Sequence, residues 1–205
     1  MGKKSVKKST KTSSVIFVII AFAIVVVAGY YCYLVRRPAE ETADKELTPV
    51  QEILLKDISI SYPPTVKEVV KYYNEITKCL YNEECSQEDL EALIQQEREL
   101  FDEALLANND WGSHVITLSG EVLAFKESGR KLTGCAVGAS TDVDYFEADG
   151  YSFARIPCNY TVMQGAEYTT TMHIFLLRKD AQNHWKIYGW DVADNVNLNA
   201  TAEEK

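Results

Sequence analysis

The sequence lacks the short motifs that identify most enzyme classes. It contains no glycine-rich phosphate loop, no His-Glu-x-x-His zinc motif and no Gly-x-Ser-x-Gly nucleophile motif. It also lacks a closely spaced cysteine pair of the kind that binds zinc, and histidine occurs only three times. We therefore expect no cofactor and no metal site.

Basic residues are scarce beyond residue 37. The first 37 residues hold seven of the 21 lysines and arginines and no acid. The remainder holds 21 − 7 = 14 basic residues against all 30 acids, so its net charge is 14 − 30 = −16. A surface of this sign repels polynucleotides, and we expect no nucleic-acid partner.

Long apolar runs are absent with one exception, residues 15–35, which contain no charge, amide or proline. As a helix this segment is about 30 Å long, the thickness of a bilayer core. Five lysines precede it and two arginines follow it, which predicts a single-pass span in the cell membrane with a cytoplasmic N-terminus. A cleaved signal peptide is the main alternative, although its apolar core is usually about 7–15 residues long.

The chain then divides into five predicted parts. These are a basic cytoplasmic tail (1–14), a transmembrane helix (15–35), a stalk with a short helix (36–64), an extracellular domain (65–193) and a polar tail (194–205). Thr48 and Pro49 predict the start of the stalk helix. We expect residues 57–64 to be extended.

Three helices are predicted at the start of the extracellular domain. Thr65 caps the first, whose apolar residues recur at the spacing of one buried helix face. Ser86 starts the second, which is expected to continue to Asn108. Asp110 caps the third, which Gly129 ends.

The pattern changes to strands from about Leu132. Asp149-Gly150 predicts a tight hairpin that places Asp144 opposite Arg155. A second turn at Gln164-Gly165 then places His173 beside Ile156 on the core face. Helices followed by a strand meander predict an α+β fold, with the helices packed on one face of a curved antiparallel sheet.

The sequence shows two resemblances, one to a known fold and one to a protein family. Three helices followed by about four strands, ending in the aromatic strand that begins at Trp185, resemble the cone-shaped, cystatin-like fold of nuclear transport factor 2 and its relatives. Residues 62–74, 105–109, 140–146 and 184–190 also resemble a family of uncharacterised, membrane-anchored proteins from clostridial gut bacteria. That resemblance implies a location on the surface of a Gram-positive cell, and it supplies no functional residues.

His173 is the main catalytic candidate, because a histidine inside such a cone can serve as general base. The alternative is a neutral core histidine bonded to Tyr73 or Tyr160. Asp142 and Asp144 are expected to alternate on one strand. They form a second candidate site, for acid–base chemistry. The alternative for them is a solvated sheet face on which Arg155 compensates Asp144.

Four cysteines lie beyond the predicted span. Cys79 and Cys85 flank the first interhelical turn, so they are either a disulfide or two small buried thiols. Cys135 and Cys158 share the core face, and the predicted register separates them by about 20 Å.

Two functional hypotheses follow. The first is a non-catalytic binding or scaffold domain at the cell surface, which contacts a protein partner or assembles with itself. The second is a small-ligand-binding or enzymatic cone that uses His173 in a pocket.

Overall fold

The computed structural model describes residues 47–195. The predicted membrane span and the basic tail lie outside these residues, as does the polar tail from residue 196 onward. Among the helices of residues 47–195, none is long and apolar enough to cross a membrane.

Five α-helices precede the strands in this part of the chain. They are α1 (Pro49–Leu54), α2 (Val66–Asn82), α3 (Gln87–Arg98), α4 (Glu103–Asn108) and α5 (Trp111–Glu127). The predicted caps Thr48, Thr65, Ser86 and Asp110 each accept a backbone hydrogen bond from the first turn of a helix. The predicted buried face of α2 is confirmed: Val66, Val69, Val70, Tyr73, Ile76 and Leu80 are all buried.

The strands form one antiparallel sheet. They are β1 (Arg130–Val137), β2 (Asp144–Ala148), β3 (Tyr151–Gln164), β4 (Glu167–Lys179) and β5 (Trp185–Val192). Their order is β1-β3-β4-β5, and β2 follows β1 along the same edge of β3. Side chains of α2 and α3 share a core with the sheet, so the predicted α+β class with an antiparallel sheet is confirmed.

The second predicted helix is interrupted. The prediction that residues 57–64 are extended is wrong for the first half of that segment. Helix α3 ends at Arg98, and α4 begins only at Glu103, because the intervening backbone bonds to β5. Asp57 forms a turn in which its side chain accepts from the backbone N–H of Ser59 at 2.9 Å. The short helix α1 packs into the main core through Val50 and Ile53.

The first hairpin has the predicted register only from Asp144 to Ala148. Residues 140–142 leave the strand as a 3₁₀ turn, so Cys158 pairs with Val137 and not with Thr141. Val137 is two residues from Cys135. The two thiols are therefore diagonal neighbours on paired strands, and the predicted separation of about 20 Å is wrong.

The second turn lies one residue later than predicted, which shifts the pairing of β3 with β4 by two residues. Gln164 pairs with Glu167, so His173 lies opposite Cys158 and not Ile156. A shift of two residues keeps each side chain on its own face of the sheet, whereas a shift of one would reverse it. His173 accordingly lies on the helix-covered face, as expected.

Candidate functional site: a cavity beneath the sheet

A cavity of about 300 Å³ opens where α2, α3 and α5 meet β5, and we call it the Glu97 cavity. Its lining combines polar and aromatic side chains. The main ones are Tyr73, Tyr81, Glu97, Phe101, His114, Thr117, Glu121 and Trp190.

The break between α3 and α4 positions this cavity. The backbone N–H of Ile187 donates to the carbonyl of Leu100 at 2.8 Å, and the N–H of Asp102 donates to the carbonyl of Ile187 at 2.8 Å. These bonds cover the free edge of β5 and hold the last turn of α3 against the sheet. Glu97 lies in that last turn.

Glu97 is a buried carboxyl group with an unused oxygen. Only 3% of its surface is exposed, and Oε2 has no hydrogen-bond partner within residues 47–195. Burial raises the pKa of Glu97 to about 8, and this effect outweighs the Tyr73 hydroxyl and the charge of Arg98, which both lower it. The group is therefore mostly protonated at pH 7.

Aromatic rings form the opposite side of the Glu97 cavity. The ring centroids of Tyr73 and Trp190 are 5.3 Å apart, and Phe101 lies 6.2 Å from Tyr73 and 5.9 Å from Trp190. Rings at these separations hold one another by edge and offset contacts. The cavity is therefore lined by aromatic rings as well as by a carboxyl group.

His114 belongs to this site. Its ring is half-buried, lies 5.9 Å from Phe101, and its Nδ1 is 3.1 Å from Nη1 of Arg98. A guanidinium only donates, so Nδ1 accepts and the ring proton is on Nε2. Burial, together with the charge of Arg98, lowers the pKa of His114, and the neutral ring is favoured.

His173 lines a second cavity of about 280 Å³. The two cavities share Tyr73, Thr77, Tyr81 and Trp190 as common walls. His173 Nδ1 is buried without a hydrogen-bond partner among the described residues, and the Tyr160 hydroxyl donates to Asn74 instead. Burial lowers the pKa of His173, and Asp191 partly opposes this shift.

The other predicted polar candidates lie away from both cavities. Asp142 accepts from the backbone N–H of Ala139 at 2.7 Å within the 3₁₀ turn, so it does not alternate with Asp144 on one strand. Asp144 contacts Arg155 at 3.1 Å across the strands, as the hairpin register predicted. These carboxylates therefore have structural partners and no common ligand position.

The described cysteines Cys79, Cys85, Cys135 and Cys158 are all free thiols. Burial raises the pKa of Cys79 and of Cys135 to about 11, which keeps these thiols protonated and weakly nucleophilic at neutral pH. No thiolate is thus available at the Glu97 cavity.

Sequence reasoning missed Glu97 and Glu121. Neither residue is among the candidates that the sequence pattern indicated. For Glu97 the signal was present: position 97 follows Leu93 by four residues and Ile94 by three, which is the buried face of α3. An acid at such a position is rarely buried unless it has a partner or a function.

The chain belongs to a family described as a domain of unknown function (DUF6715), whose model matches residues 2–190. No curated protein matches the sequence. Family membership therefore assigns no activity, and the functional argument rests on the site itself.

Proposed function

We propose that residues 47–195 form a small-molecule-binding domain, held at the outer surface of a cell membrane by the apolar segment 15–35. The observation that carries the binding role is the Glu97 carboxyl group. Buried polar atoms in native proteins almost always have a hydrogen-bond partner, and Glu97 Oε2 has none among the described residues. A ligand in the adjoining cavity would supply it.

The size and lining of the Glu97 cavity support the same role. A volume of about 300 Å³ accommodates a compact organic molecule. The lining pairs broad aromatic surface with a few polar groups, the combination by which binding sites gain affinity and orientation. The catalytic alternative has less support, because His173 has aromatic neighbours and, within residues 47–195, no hydrogen-bonded acid–base partner at Nδ1.

The membrane anchor is supported by the sequence alone. The segment 15–35, its basic flanks and the acidic remainder together favour an N-terminus in the cytoplasm and a domain outside. The order of helices and strands likewise supports a cone of the nuclear transport factor 2 type.

Ligand entry is testable with the full-length protein in detergent micelles. The chain has three tryptophans, and Trp190 alone of these lines the Glu97 cavity. The protein would be labelled with 5-fluorotryptophan and titrated with a panel of small cationic, neutral and anionic aromatic compounds. We expect some of these compounds to shift the Trp190 fluorine signal and to leave the Trp185 signal unchanged. Thr117→Phe, which narrows the cavity from an exposed position on α5, should suppress the shift. A Trp190 signal that no compound moves would contradict the proposal.

Membrane anchoring needs a separate measurement. Full-length protein should stay in the membrane fraction after alkaline carbonate washing, and a variant lacking residues 15–35 should be released. External protease should then digest the domain in intact protoplasts. Protection of the domain from that protease would contradict the proposed orientation.

A further inference from the structure

The Glu97 cavity indicates the class of its ligand. We propose that it binds a small organic ammonium ion, with the protonated amine between the Glu97 carboxylate and the ring faces of Tyr73 and Trp190. This inference rests on the proposed function and specifies the ligand of the same site. Three features of the cavity support it.

The first feature is the distribution of charge. Glu97 and Glu121 both line the cavity, whereas no lysine or arginine belongs to its lining. Arg98 lies nearby, but its Nη1 already donates to the carbonyl of Asn109 at 2.8 Å and faces Nδ1 of His114. An anionic ligand would therefore meet two carboxyl groups in the lining, with the Arg98 cation beside the cavity and not part of its lining, while an ammonium ion meets groups of complementary charge.

The second feature is the aromatic lining. A cation within about 6 Å of a ring centroid is attracted by the negative ring face, most strongly by tryptophan. Tyr73 and Trp190, with centroids 5.3 Å apart, and Phe101 at 5.9 Å from Trp190 form neighbouring walls of one cavity. An ammonium group between them and Glu97 would gain both ring attraction and a charge-assisted hydrogen bond.

The third feature is the unused oxygen. The N–H of an ammonium ion is a donor of the kind that Glu97 Oε2 lacks. The ionisable groups around Glu97 are Tyr73 and Tyr81 on α2, Arg98 on α3, and His114 and Glu121 on α5. Of these, Arg98 and Tyr73 lower the pKa of Glu97 without overcoming its burial.

These features couple binding to a proton. In the empty site at pH 7 Glu97 is mostly in its acid form, since burial raises its pKa to about 8. Ammonium binding favours the carboxylate, so the Glu97 proton is released to the buffer as the ion pair forms. Affinity for an amine should therefore rise as pH increases from about 6 to 8.

Isothermal titration calorimetry on the full-length protein in micelles tests the inference. The probes are benzylamine, its neutral counterpart benzyl alcohol and its anionic counterpart benzoate. We expect benzylamine to bind at least tenfold more tightly than either of the others. Repeating the titration in buffers of different ionisation enthalpy should show a proton released near pH 7.

Two matched variants locate the effect. Glu97→Gln keeps the size of the side chain and removes its charge, and should weaken benzylamine binding at least tenfold and abolish proton release. Glu127→Gln removes the same charge from the exposed end of α5, outside the cavity lining, and should change neither.

The outcomes separate the two proposals. Equal binding of benzyl alcohol and benzylamine, with the Trp190 signal shifted by both, would overturn the ammonium inference and leave the binding function standing. Preferential binding of benzoate would do the same. Absence of binding by all three probes would overturn the ammonium inference, and the wider compound panel would then decide the binding function separately.

Discussion

Two buried acids five residues apart have opposite surroundings. Asp102, at the start of α4, is 2% exposed and bonds to Arg178 Nε and Nη2 at 2.8 and 2.6 Å. Glu97, at the end of α3, is 3% exposed and has an oxygen without a partner among the described residues. Equal burial thus accompanies two different states of a carboxyl group: Asp102 is paired with Arg178, whereas Glu97 keeps unused hydrogen-bonding capacity beside a cavity.

The difference follows from the neighbouring elements. At Asp102, α4 and the end of β4 lie close enough for a two-point ion pair, and the same carboxyl group also caps α4 through the N–H of Ala104 at 2.9 Å. Beside Glu97, the cavity of about 300 Å³ leaves space between the helices and β5. Removing one partner of a buried ion pair is strongly destabilising, because the other charge is then left buried without compensation.

The largest effect is expected from Asp102→Asn. This change keeps a side chain that caps α4 well and removes the charge that pairs with Arg178. Because Arg178 is left part-buried without its main partner, we expect a loss of about 3 kcal/mol in the free energy of unfolding. Urea denaturation followed by circular dichroism would measure it.

A matched control for this change is Glu103→Gln. Glu103 contacts the same guanidinium at 3.2 Å, but its side chain is 86% exposed. Its loss should therefore have an effect near the measurement error. Equal effects at positions 102 and 103 would show that burial does not separate the two pairs.

The second prediction has the opposite sign. The pKa of Glu97 is raised from 4.5 to about 8 on folding, so the native state binds more protons than the unfolded state between these pH values. The contribution of Glu97 to stability therefore falls as pH rises from about 5 to 8. Glu97→Gln removes this penalty, and we expect the variant to be more stable than wild type at pH 8, by on the order of 4 kcal/mol.

Denaturation at pH 5 and pH 8 would measure this difference. At pH 5 the wild-type carboxyl is protonated in the native state, so the two proteins should differ little. Glu127→Gln should follow the wild type at both pH values. The prediction is contradicted if the variant loses stability relative to wild type between pH 5 and pH 8. The Glu97 carboxylate would then have a stabilising partner.

The sequence was sufficient to predict the helix starts, the buried face of α2 and the hairpin pairing next to Asp149-Gly150. Capping residues such as Thr65 and Ser86, and the apolar face of α2, are local signals that act through neighbouring backbone. The hairpin at Asp149-Gly150 is local too, because a two-residue turn fixes the pairing on both sides of it. The α+β class followed from these elements alone.

The site was not predictable in the same way because it depends on contacts between distant segments. Glu97 reaches the cavity only because residues 100–102 bond to Ile187, which is 85 or more positions later in the chain. The register shift at His173 came from the turn Gly165-Ala166, which was placed one residue too early. His114 lay in a helix whose apolar residues occur on several sides, so periodicity could not show that its ring faces inward.

The smallest effect is expected from replacing Arg98, which should change two pKa values. Arg98 lies beside both Glu97 and His114, and its charge lowers the pKa of each. Replacement by glutamine should therefore raise both pKa values in the same direction, by about half a unit at the reduced field of a partly hydrated site. Carbon- and nitrogen-detected NMR titration of labelled glutamate and histidine would follow both groups.

Lys131→Gln, an exposed change on β1, is the control of equal charge and should move neither pKa. If Arg98→Gln raised the pKa of His114 and left that of Glu97 unchanged, the two groups would not share one field. The Glu97 cavity would then contain two electrostatically separate polar groups.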